Sequence, residues 1–398
     1  MMTVKHAFYR IYQAVFAVGI RLMPKKKQTL LTGDGCLYRI PGILMAKHVG
    51  KVEIITTAGF VRRKAIEPLL KSLREAEIDS VVFCEVPPDP TTACIEKAAE
   101  LYRREHCGGI LAIGGGSVLD CAKIAAARIV RPKKSVLDMA GLLKIRKRLP
   151  LLVAVPTTAG TGSEVTVAAV ITDEKTHYKH VIMDFCLVPD YAVLDPVLTE
   201  SLPPDMTAFT GMDAMTHAVE AYTNCFASAE MRAYAKKAVK LISCNLKKAY
   251  EDGSDLKARE KLLLGSYYAG IAFTNAYVGY VHAIAHALGG LYGIAHGKAN
   301  AVILPVVLEY YGKAAYQRLA ELGEAAGIHG STAEETAKAF IAMIKTMNDD
   351  MAIPQKLGII QQKDVAEIIR RALKEANPTY PVPVIWEEKE FQEVIRRL

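Results

Sequence analysis

The residues best suited to chemistry are an aspartate and several histidines in the second half of the chain. Asp213 and His217 lie four residues apart, and so do His282 and His286, with His296 following. On a helix this spacing puts both members of a pair on one face. Carboxylate and imidazole groups on an Ala- and Gly-rich backbone, which permits close packing, are typical ligands of a divalent first-row metal.

A structural explanation competes with the metal hypothesis for each pair taken alone. A single histidine on an apolar helix is usually a hydrogen-bonded core residue, and an Asp-x-x-x-His pair can be a simple side-chain contact. Several such groups among nearly apolar helices would each need a buried partner, which favours a shared metal site. A four-ligand site would use Asp213, His217 and two of the three later histidines, leaving the third for proton transfer.

Two segments rich in glycine or hydroxyl groups are suited to binding phosphate. The β-rich run GGILAIG leads into Gly115-Gly116-Ser117 and a helical stretch, so free backbone N–H groups would face a ligand. This segment lacks the G-x-G-x-x-G pattern, and a tight turn without a ligand explains it about equally well. The second segment, PTTAGTGSE (156–164), follows LLVAVP at the carboxyl end of a strand, where open α/β sheets bind ligands. Together the two loops favour a dinucleotide.

The elements that must position these residues change in character near Pro203-Pro204. Before that point, short β-rich runs alternate with amphipathic stretches at 60–76 and 91–105, which predicts an α/β domain with a parallel, Rossmann-like sheet. The predicted strands are KVEIITT (51–57), DSVVFCEV (79–86), GGILAIG (108–114), LLVAVP (151–156) and YAVLD (191–195).

The second half of the chain is predicted to be all-helical, because Ala-rich segments with a 3.6-residue period replace the β-branched runs. Candidate helices are 205–223, 228–250, 256–274, 313–326, 331–348 and 362–376. Gly289-Gly290 is predicted to break the helix that carries His282 and His286. The expected organisation is an α/β cofactor domain at 1–202 followed by an all-α metal and catalytic domain at 203–398.

The formal net charge of +8 is unevenly distributed along the chain. Residues 1–33 and 131–148 are strongly basic, and the remainder is slightly acidic and lacks the basic, aromatic-interleaved stripe of a nucleic-acid-binding protein. We therefore expect no nucleic-acid partner. Residues 1–27 form a basic amphipathic extension that would pack on the body or on a second subunit, and a membrane-surface helix is the less favoured alternative.

The eight cysteines form no C-x-x-C pair, and several lie inside apolar runs. This usage favours buried thiols in a reducing compartment. No stretch reaches the roughly 18 apolar residues of a membrane span. The expected location is therefore cytoplasmic.

Four segments together resemble the iron-containing, group III, alcohol dehydrogenase family. They are GGGSVLDCAK (114–123), PTTAGTGSEVT (156–166), GMDAMTHAVEAY (211–222) and VHAIAHALGGLYGIAHGKANAVILP (281–305). The resemblance runs from about residue 30 to the C-terminus and includes NPTYPVP (377–383).

By position, this resemblance implies a ligand set and a metal. The implied metal ligands are Asp213, His217, His282 and His296, and His286 matches the histidine associated with the substrate and the proton relay. Iron(II) is the implied ion, and zinc remains the alternative because three imidazoles and a carboxylate also suit it.

The resemblance also implies a set of cofactor contacts. These are Gly115, Gly116 and Ser117 as the diphosphate cradle, Asp120 one turn along, Thr157, Thr158 and Thr161 lining the cofactor, and Thr166 and Lys179 closing over it. Asp89 stands where the family more often has Asn. Thr57 replaces the Asp that NAD-preferring members tend to carry after the first strand. Its neutral side chain would not repel a 2′-phosphate, and Arg62 or Arg63 would pair with that group, so we expect NADP(H) rather than NAD(H).

The implied activity is reversible hydride transfer between a nicotinamide cofactor and a small primary alcohol or aldehyde at the divalent metal. We expect a homodimer without membrane association. Three alternatives stay open at this point: a zinc-dependent polyol dehydrogenase similar to glycerol dehydrogenase, a lyase similar to dehydroquinate synthase, and a non-enzymatic binding or membrane-associated protein that depends on residues 1–27.

Overall fold

The computed structural model describes residues 4–22, 26–174, 176 and 178–398. These residues form two compact units, one within Lys25–Ser201 and the other made of residues 4–22 and Leu202–Leu398. The first unit holds an α/β fold and the second is helical, as the sequence predicts.

The first helix, α1 (Val4–Leu22), belongs to the helical unit, whereas the predicted division at 202 assigns residues 1–27 to the α/β domain. Its polar side chains explain the difference. The Gln13 amide donates hydrogen bonds to the carbonyls of Pro378 (2.8 Å) and Tyr380 (2.9 Å), and Arg10 donates to the carbonyl of Pro383 (3.1 Å). Residues 1–3 and 23–25 of the predicted extension lie outside the described residues.

A six-stranded parallel sheet with the strand order β1-β9-β6-β4-β2-β3 forms the centre of the α/β unit. A small second sheet has the order β5-β8-β7. The strands are β1 (Thr29–Thr32), β2 (Lys51–Ile55), β3 (Asp79–Phe83), β4 (Gly109–Gly114), β5 (Gly141–Leu142), β6 (Leu151–Pro156), β7 (Ala168–Thr172), β8 (Lys179–Met183) and β9 (Tyr191–Leu194). All five predicted strands are present, in β2, β3, β4, β6 and β9.

Helices cover both faces of this sheet, which explains the almost unbroken apolar sequence of its central strands. Along β4, Ile110 and Ala112 face one hydrophobic core, and Leu111 and Ile113 face the other. The helices of the unit are α2 (Ile40–Ala46), α3 (Ala58–Arg62), α4 (Glu67–Glu75), α5 (Thr92–Arg104) and α6 (Gly116–Val130).

The helix predicted at 60–76 is in fact two helices, α3 and α4. The chain turns between them at Lys64, whose φ is 56°, and the second helix restarts with Pro68 in its first turn. Proline suits that position because its missing N–H would have no partner within the helix.

The second unit contains α1 and nine further helices, and its described residues include no strand. The nine are α7 (Pro204–Thr223), α8 (Ala229–Glu251), α9 (Leu256–Ala276), α10 (Tyr280–Tyr292), α11 (His296–Tyr311), α12 (Tyr316–Ala325), α13 (Ala333–Asp350), α14 (Val365–Ala376) and α15 (Glu388–Ile395). Among the residues that the structure describes, no helix is both long enough and apolar enough to cross a membrane.

The predicted helix break at Gly289-Gly290 is wrong. Both glycines lie inside α10, which continues to Tyr292 and ends at Gly293 with a left-handed φ of 66°. A glycine inside a helix costs about 1 kcal/mol relative to alanine, which tertiary packing overrides, whereas a left-handed glycine just past the last turn is a standard helix end.

Candidate metal centre and nucleotide-binding loops

Helix α7 is buried around most of its circumference and brings polar groups into the core of the helical unit. Asp213, His217 and Glu220 are buried and lie at i, i+4 and i+7, which places them on one face. His282 projects from the first turn of α10, and His296 is the first residue of α11. Three separate helices therefore supply the residues predicted to bind a metal.

The side chains of three of these residues converge closely. The ligand atoms of Asp213, His217 and His282 all lie within 4.8 Å of one another. The fourth predicted ligand is His296, whose Nε2 lies 3.4 Å from Asp213 Oδ1. Burial alone would raise the pKa of Asp213, but the imidazoles of His217 and His296 hold that pKa well below its usual range. The carboxylate is therefore charged at neutral pH and available to a cation.

Glu220 orients His282 from the side opposite the cluster. One carboxylate oxygen lies 2.5 Å from His282 Nδ1, and the other accepts a hydrogen bond from the backbone N–H of Val281 at 2.7 Å. Burial lowers the pKa of His282, but Glu220 and Asp213 outweigh that effect and raise the pKa to about 9. A carboxylate on Nδ1 holds the ring in place, and a metal bound at Nε2 would displace the proton from that nitrogen. Sequence reasoning missed this residue, although its i+7 spacing from Asp213 was a usable signal.

Asn300 marks the point on which the predicted ligands converge. Its amide nitrogen lies 2.7 Å from Asp213 Oδ1, 3.2 Å from His282 Nε2 and 3.1 Å from His296 Nε2. One carboxylate oxygen and two imidazole nitrogens from three helices thus surround one amide nitrogen in a buried site. A cation is a partner of the same electrostatic type, so the residues fit a divalent metal. Asn300 was also missed, although it lies one helical turn after His296.

His286 lies on the same helix as His282 but makes a different polar contact. Its Nδ1 is 2.7 Å from Glu375 Oε1, and the hydroxyl of Tyr380 donates to the same oxygen at 2.8 Å. The side chain of His286 is 43% exposed, and its ring stacks on that of His296 with the centroids 5.0 Å apart. It therefore combines solvent access, a carboxylate partner and proximity to a predicted ligand.

The predicted phosphate cradle joins β4 to α6 in the α/β unit. Gly115 precedes the helix and Gly116 begins it, so the first N–H groups of α6 have no carbonyl partner within the helix. A Cβ atom on Gly116 would lie 2.7 Å from Thr161 Cγ2, and one on Gly115 would lie 3.4 Å from Thr158 Oγ1. The two glycine- and hydroxyl-rich segments therefore pack directly together, and this contact requires glycine at 116.

Several side chains predicted to contact the cofactor bond to other parts of the α/β unit. Asp120 accepts hydrogen bonds from Ser163 Oγ (2.6 Å) and from the N–H of Val170 (2.8 Å). Asp89 and Lys179 form an ion pair of 2.8 Å with each other. Their roles toward a cofactor remain predictions, and their observed role is to hold neighbouring segments together.

Lys123 is a buried cation that the sequence analysis missed. Its Nζ donates to Ser163 Oγ and Thr166 Oγ1, both at 2.9 Å, and to the carbonyls of Thr166 and Ala168. Burial lowers its pKa to about 8. The ammonium group ties α6 to the loop that follows β6, which explains why Thr166 is buried. The hydroxyl of Ser117 similarly bonds to the carbonyl of Pro88.

Glu53 lies on β2 and Thr57 lies just after it, at the position expected to influence the choice between NAD(H) and NADP(H). Thr57 caps α3, with its Oγ1 accepting a hydrogen bond from the N–H of Phe60 at 3.3 Å. Glu53 is fully buried, and neither carboxylate oxygen has a hydrogen-bond partner among the described residues. Burial raises its pKa to about 8, so Glu53 is mainly a neutral acid at pH 7.

Comparison with known proteins finds matches along most of the chain. Residues 27–196 match the family model described as iron-containing alcohol dehydrogenase, and residues 207–398 match that of the Fe-containing alcohol dehydrogenase family, C-terminal. A 1,3-propanediol dehydrogenase of Citrobacter freundii is 40% identical over 356 residues, which cover 87% of this chain and 91% of the relative. An NADPH-dependent butanol dehydrogenase of Clostridium saccharobutylicum is 37% identical over 320 residues, which cover 79% of this chain and 82% of the relative.

Solved structures agree with the sequence matches. A crystal structure of a 1,3-propanediol oxidoreductase superposes with a TM-score of 0.89 at 35% identity, covering 94% of this chain and 99% of that one. An alcohol dehydrogenase from Oenococcus oeni superposes with a TM-score of 0.88 at 33% identity, covering 92% of this chain and 97% of that one.

Proposed function

The chain belongs to the iron-containing alcohol dehydrogenase family, and on that premise we propose that Asp213, His217, His282 and His296 hold the divalent metal of its active site. The protein is an NAD(P)-linked alcohol dehydrogenase that interconverts an alcohol and an aldehyde. The observation that carries the ligand assignment is the convergence of Asp213 and two histidine Nε2 atoms on one point.

A bound divalent ion supplies Lewis acidity, which lowers the pKa of an alcohol or polarises a carbonyl. The protein's own residues prepare that site. Glu220 holds His282 in one orientation, and the N–H of Val281 holds Glu220 in turn. Such outer contacts raise the basicity of a ligand and fix its direction before the metal arrives. We propose iron(II) as the ion, with zinc as the alternative.

The nicotinamide cofactor, when bound, accepts or donates the hydride. The residues present fit its diphosphate, because the β4–α6 turn places backbone N–H groups at a helix N-terminus, where Gly116 lets the turn pack closely on the hydroxyl-rich loop after β6. The proposed contacts are backbone groups of Gly115, Gly116 and Ser117 together with the hydroxyls of Thr157, Thr158 and Thr161. NADP(H) is the proposed cofactor, because Thr57 is neutral and Arg62 and Arg63 follow it.

His286 is the proposed proton-transfer residue. Glu375 fixes its ring through Nδ1, and the hydroxyl of Tyr380 donates a hydrogen bond to the same carboxylate oxygen of Glu375. This leaves Nε2 as the nitrogen that exchanges a proton with substrate or solvent. The exposed ring is suited to that exchange.

The proposed substrates are short primary alcohols, diols and the corresponding aldehydes, in line with relatives named for 1,3-propanediol and butanol. The test measures steady-state oxidation and reduction of such compounds with NAD(H) and NADP(H), alongside elemental analysis of the purified protein. We expect turnover that consumes nicotinamide stoichiometrically, with a kcat/KM preference for NADP(H) and iron as the reactivating ion. Stoichiometric metal without net nicotinamide turnover on any of these compounds would contradict the proposal and favour lyase chemistry. A clear preference for NADH would overturn the cofactor assignment alone.

A further inference from the structure

Helix α1 packs on the helical unit with an inverted polarity. The face turned toward the unit carries Gln13, which is buried, together with Arg10 and His6. The opposite face exposes apolar side chains. They are Val4 (90% exposed), Phe8 (59%), Ile11 (65%), Tyr12 (39%), Val15 (67%) and Val18 (53%). An ordinary surface helix shows the reverse arrangement.

The inner face of α1 is specifically bonded, so its orientation is defined by contacts. The amide of Gln13 donates to two backbone carbonyls, and Lys5 and His6 both pair with Glu387. The ring of Phe16 packs against that of Tyr277, with the ring centroids 5.9 Å apart. Turning the helix to bury its apolar face would break these bonds. The matched family model begins at residue 27, so α1 precedes the part of the chain that the model describes.

The exposed residues form a narrow seam. Val4, Phe8, Ile11, Val15 and Val18 alternate at spacings of four and three residues. This is the spacing with which two helices pack side by side, and four of these five residues are β-branched, as is common at such positions. Ala7 and Ala14 flank the seam and are small enough to permit close approach.

We propose that a second copy of this chain covers the seam, with α1 packing against α1 of the partner subunit. A symmetric pair is self-complementary, so the centre of the seam, Ile11, would face Ile11 of the partner subunit. A contiguous apolar patch of several hundred Å² is at about the upper limit for monomers. Two such patches would form the apolar centre of an interface that normally buries about 800 Å² per subunit.

The charged side chains of α1 favour a second copy of this chain over a lipid surface as the partner of the seam. A membrane-surface helix places free basic groups beside its apolar face. Here the ammonium group of Lys5 is paired with Glu387, and the guanidinium of Arg10 is bonded to Gln13 and Pro383. Lys5 and Arg10 are therefore already engaged within the chain.

The test is the mass of the full-length protein in solution, measured by light scattering, for wild type, Ile11→Glu and the matched control Ile359→Glu. Ile359 is also exposed but lies outside α1. We expect a wild-type mass that is an even multiple of 43.5 kDa, half that mass for Ile11→Glu, and the wild-type mass for the control. A monomeric wild type, or an unchanged mass in Ile11→Glu, would overturn the proposal.

A second variant keeps the proposal testable if Ile11→Glu disturbs the helix. Ile11→Cys should form a covalent dimer under mild oxidation, whereas wild type, with its eight native thiols, should not. Absence of this cross-link would count against the paired helices. Loss of sedimentation with vesicles containing phosphatidylglycerol in Ile11→Glu, at unchanged mass, would instead identify a lipid surface as the occupant and overturn the proposal.

Discussion

The candidate metal centre and the nucleotide-binding loops use polar side chains in opposite ways. In the helical unit, Asp213, His282 and His296 turn ligand atoms inward to one buried point, and Glu220 supports His282 from outside. In the α/β unit, Asp120 and Lys123 bond to the segments around them. The groups that can still bind a ligand there are mainly backbone N–H groups, the accessible backbone of glycines and the hydroxyls of threonines.

Because of this difference, the two sites depend on the amino-acid sequence in different ways. A metal needs particular side-chain atoms, so replacing one ligand removes the site. A diphosphate bound by backbone groups tolerates many side-chain changes but does not tolerate a Cβ atom where the backbone must come close. Substitutions in the two units should therefore impair the protein in distinguishable ways, through metal binding in one and through cofactor binding in the other.

The largest effect is expected from His282→Ala. Loss of a buried ligand should remove the metal and lower kcat/KM by about a thousandfold or more, since the metal contributes several kcal/mol to the transition state. Metal content and turnover are measured on the same sample. His329→Ala, at an exposed position, is the control and should keep both. Wild-type turnover in His282→Ala would refute the ligand assignment.

Glu220→Gln should weaken metal binding by roughly 10- to 100-fold without abolishing it, because an amide supports the imidazole less well than a carboxylate. Competition with a chelator of known affinity gives the change. Activity should recover at high metal concentration. If the affinity is unchanged, Glu220 serves packing alone.

Gly116→Ala should raise the KM for the nicotinamide cofactor by about tenfold or more, because its Cβ atom would lie 2.7 Å from Thr161 Cγ2 and force the two loops apart. Metal content should stay at the wild-type level, in contrast to His282→Ala. Gly42→Ala is the matched control, since no atom lies within 4 Å of a Cβ atom there. Equal KM values in all three proteins would count against the cradle.

Thr57→Asp should shift cofactor preference by about tenfold toward NAD(H), because a carboxylate would repel a 2′-phosphate and accept hydrogen bonds from ribose hydroxyls. Asp can also cap α3 as Thr57 does, so the fold should be retained. The ratio of kcat/KM values for NADPH and NADH measures the shift. An unchanged ratio would place the specificity elsewhere.

Glu53→Gln should leave turnover almost unchanged and alter stability instead. The pKa of Glu53 in the folded chain is about 8 against a reference of 4.5, so its contribution is fully present below pH 4.5 and is lost as the pH rises to 8. Within that window the loss amounts to at most about 1.4 kcal/mol per pH unit. The variant should therefore melt above wild type at pH 8 and near it at pH 5. Parallel pH dependence of the two melting temperatures would disprove the assignment.

Spacing was sufficient to predict the fold class and the shared helix face of Asp213 and His217, because periodicity determines which residues lie on one side of a helix. It left open which of the three later histidines join them, and only the family resemblance singled out His282 and His296. Spacing was also not sufficient for Asn300, whose importance depends on how α11 meets α7 and α10. The contact of His286 with Glu375 joins residues 89 apart, which no local pattern reveals. Gly289-Gly290 shows the same limit, since packing sustains a helix that local propensity would end.

The central claim is that one divalent ion, held in the helical unit, is required for hydride transfer. The most direct test titrates metal-free protein with iron(II) under anaerobic conditions while NADPH oxidation is followed with a short aldehyde. We predict that activity rises linearly and reaches its plateau at one ion per chain, and that His282→Ala stays inactive throughout. Full turnover in metal-free wild-type protein would contradict this account.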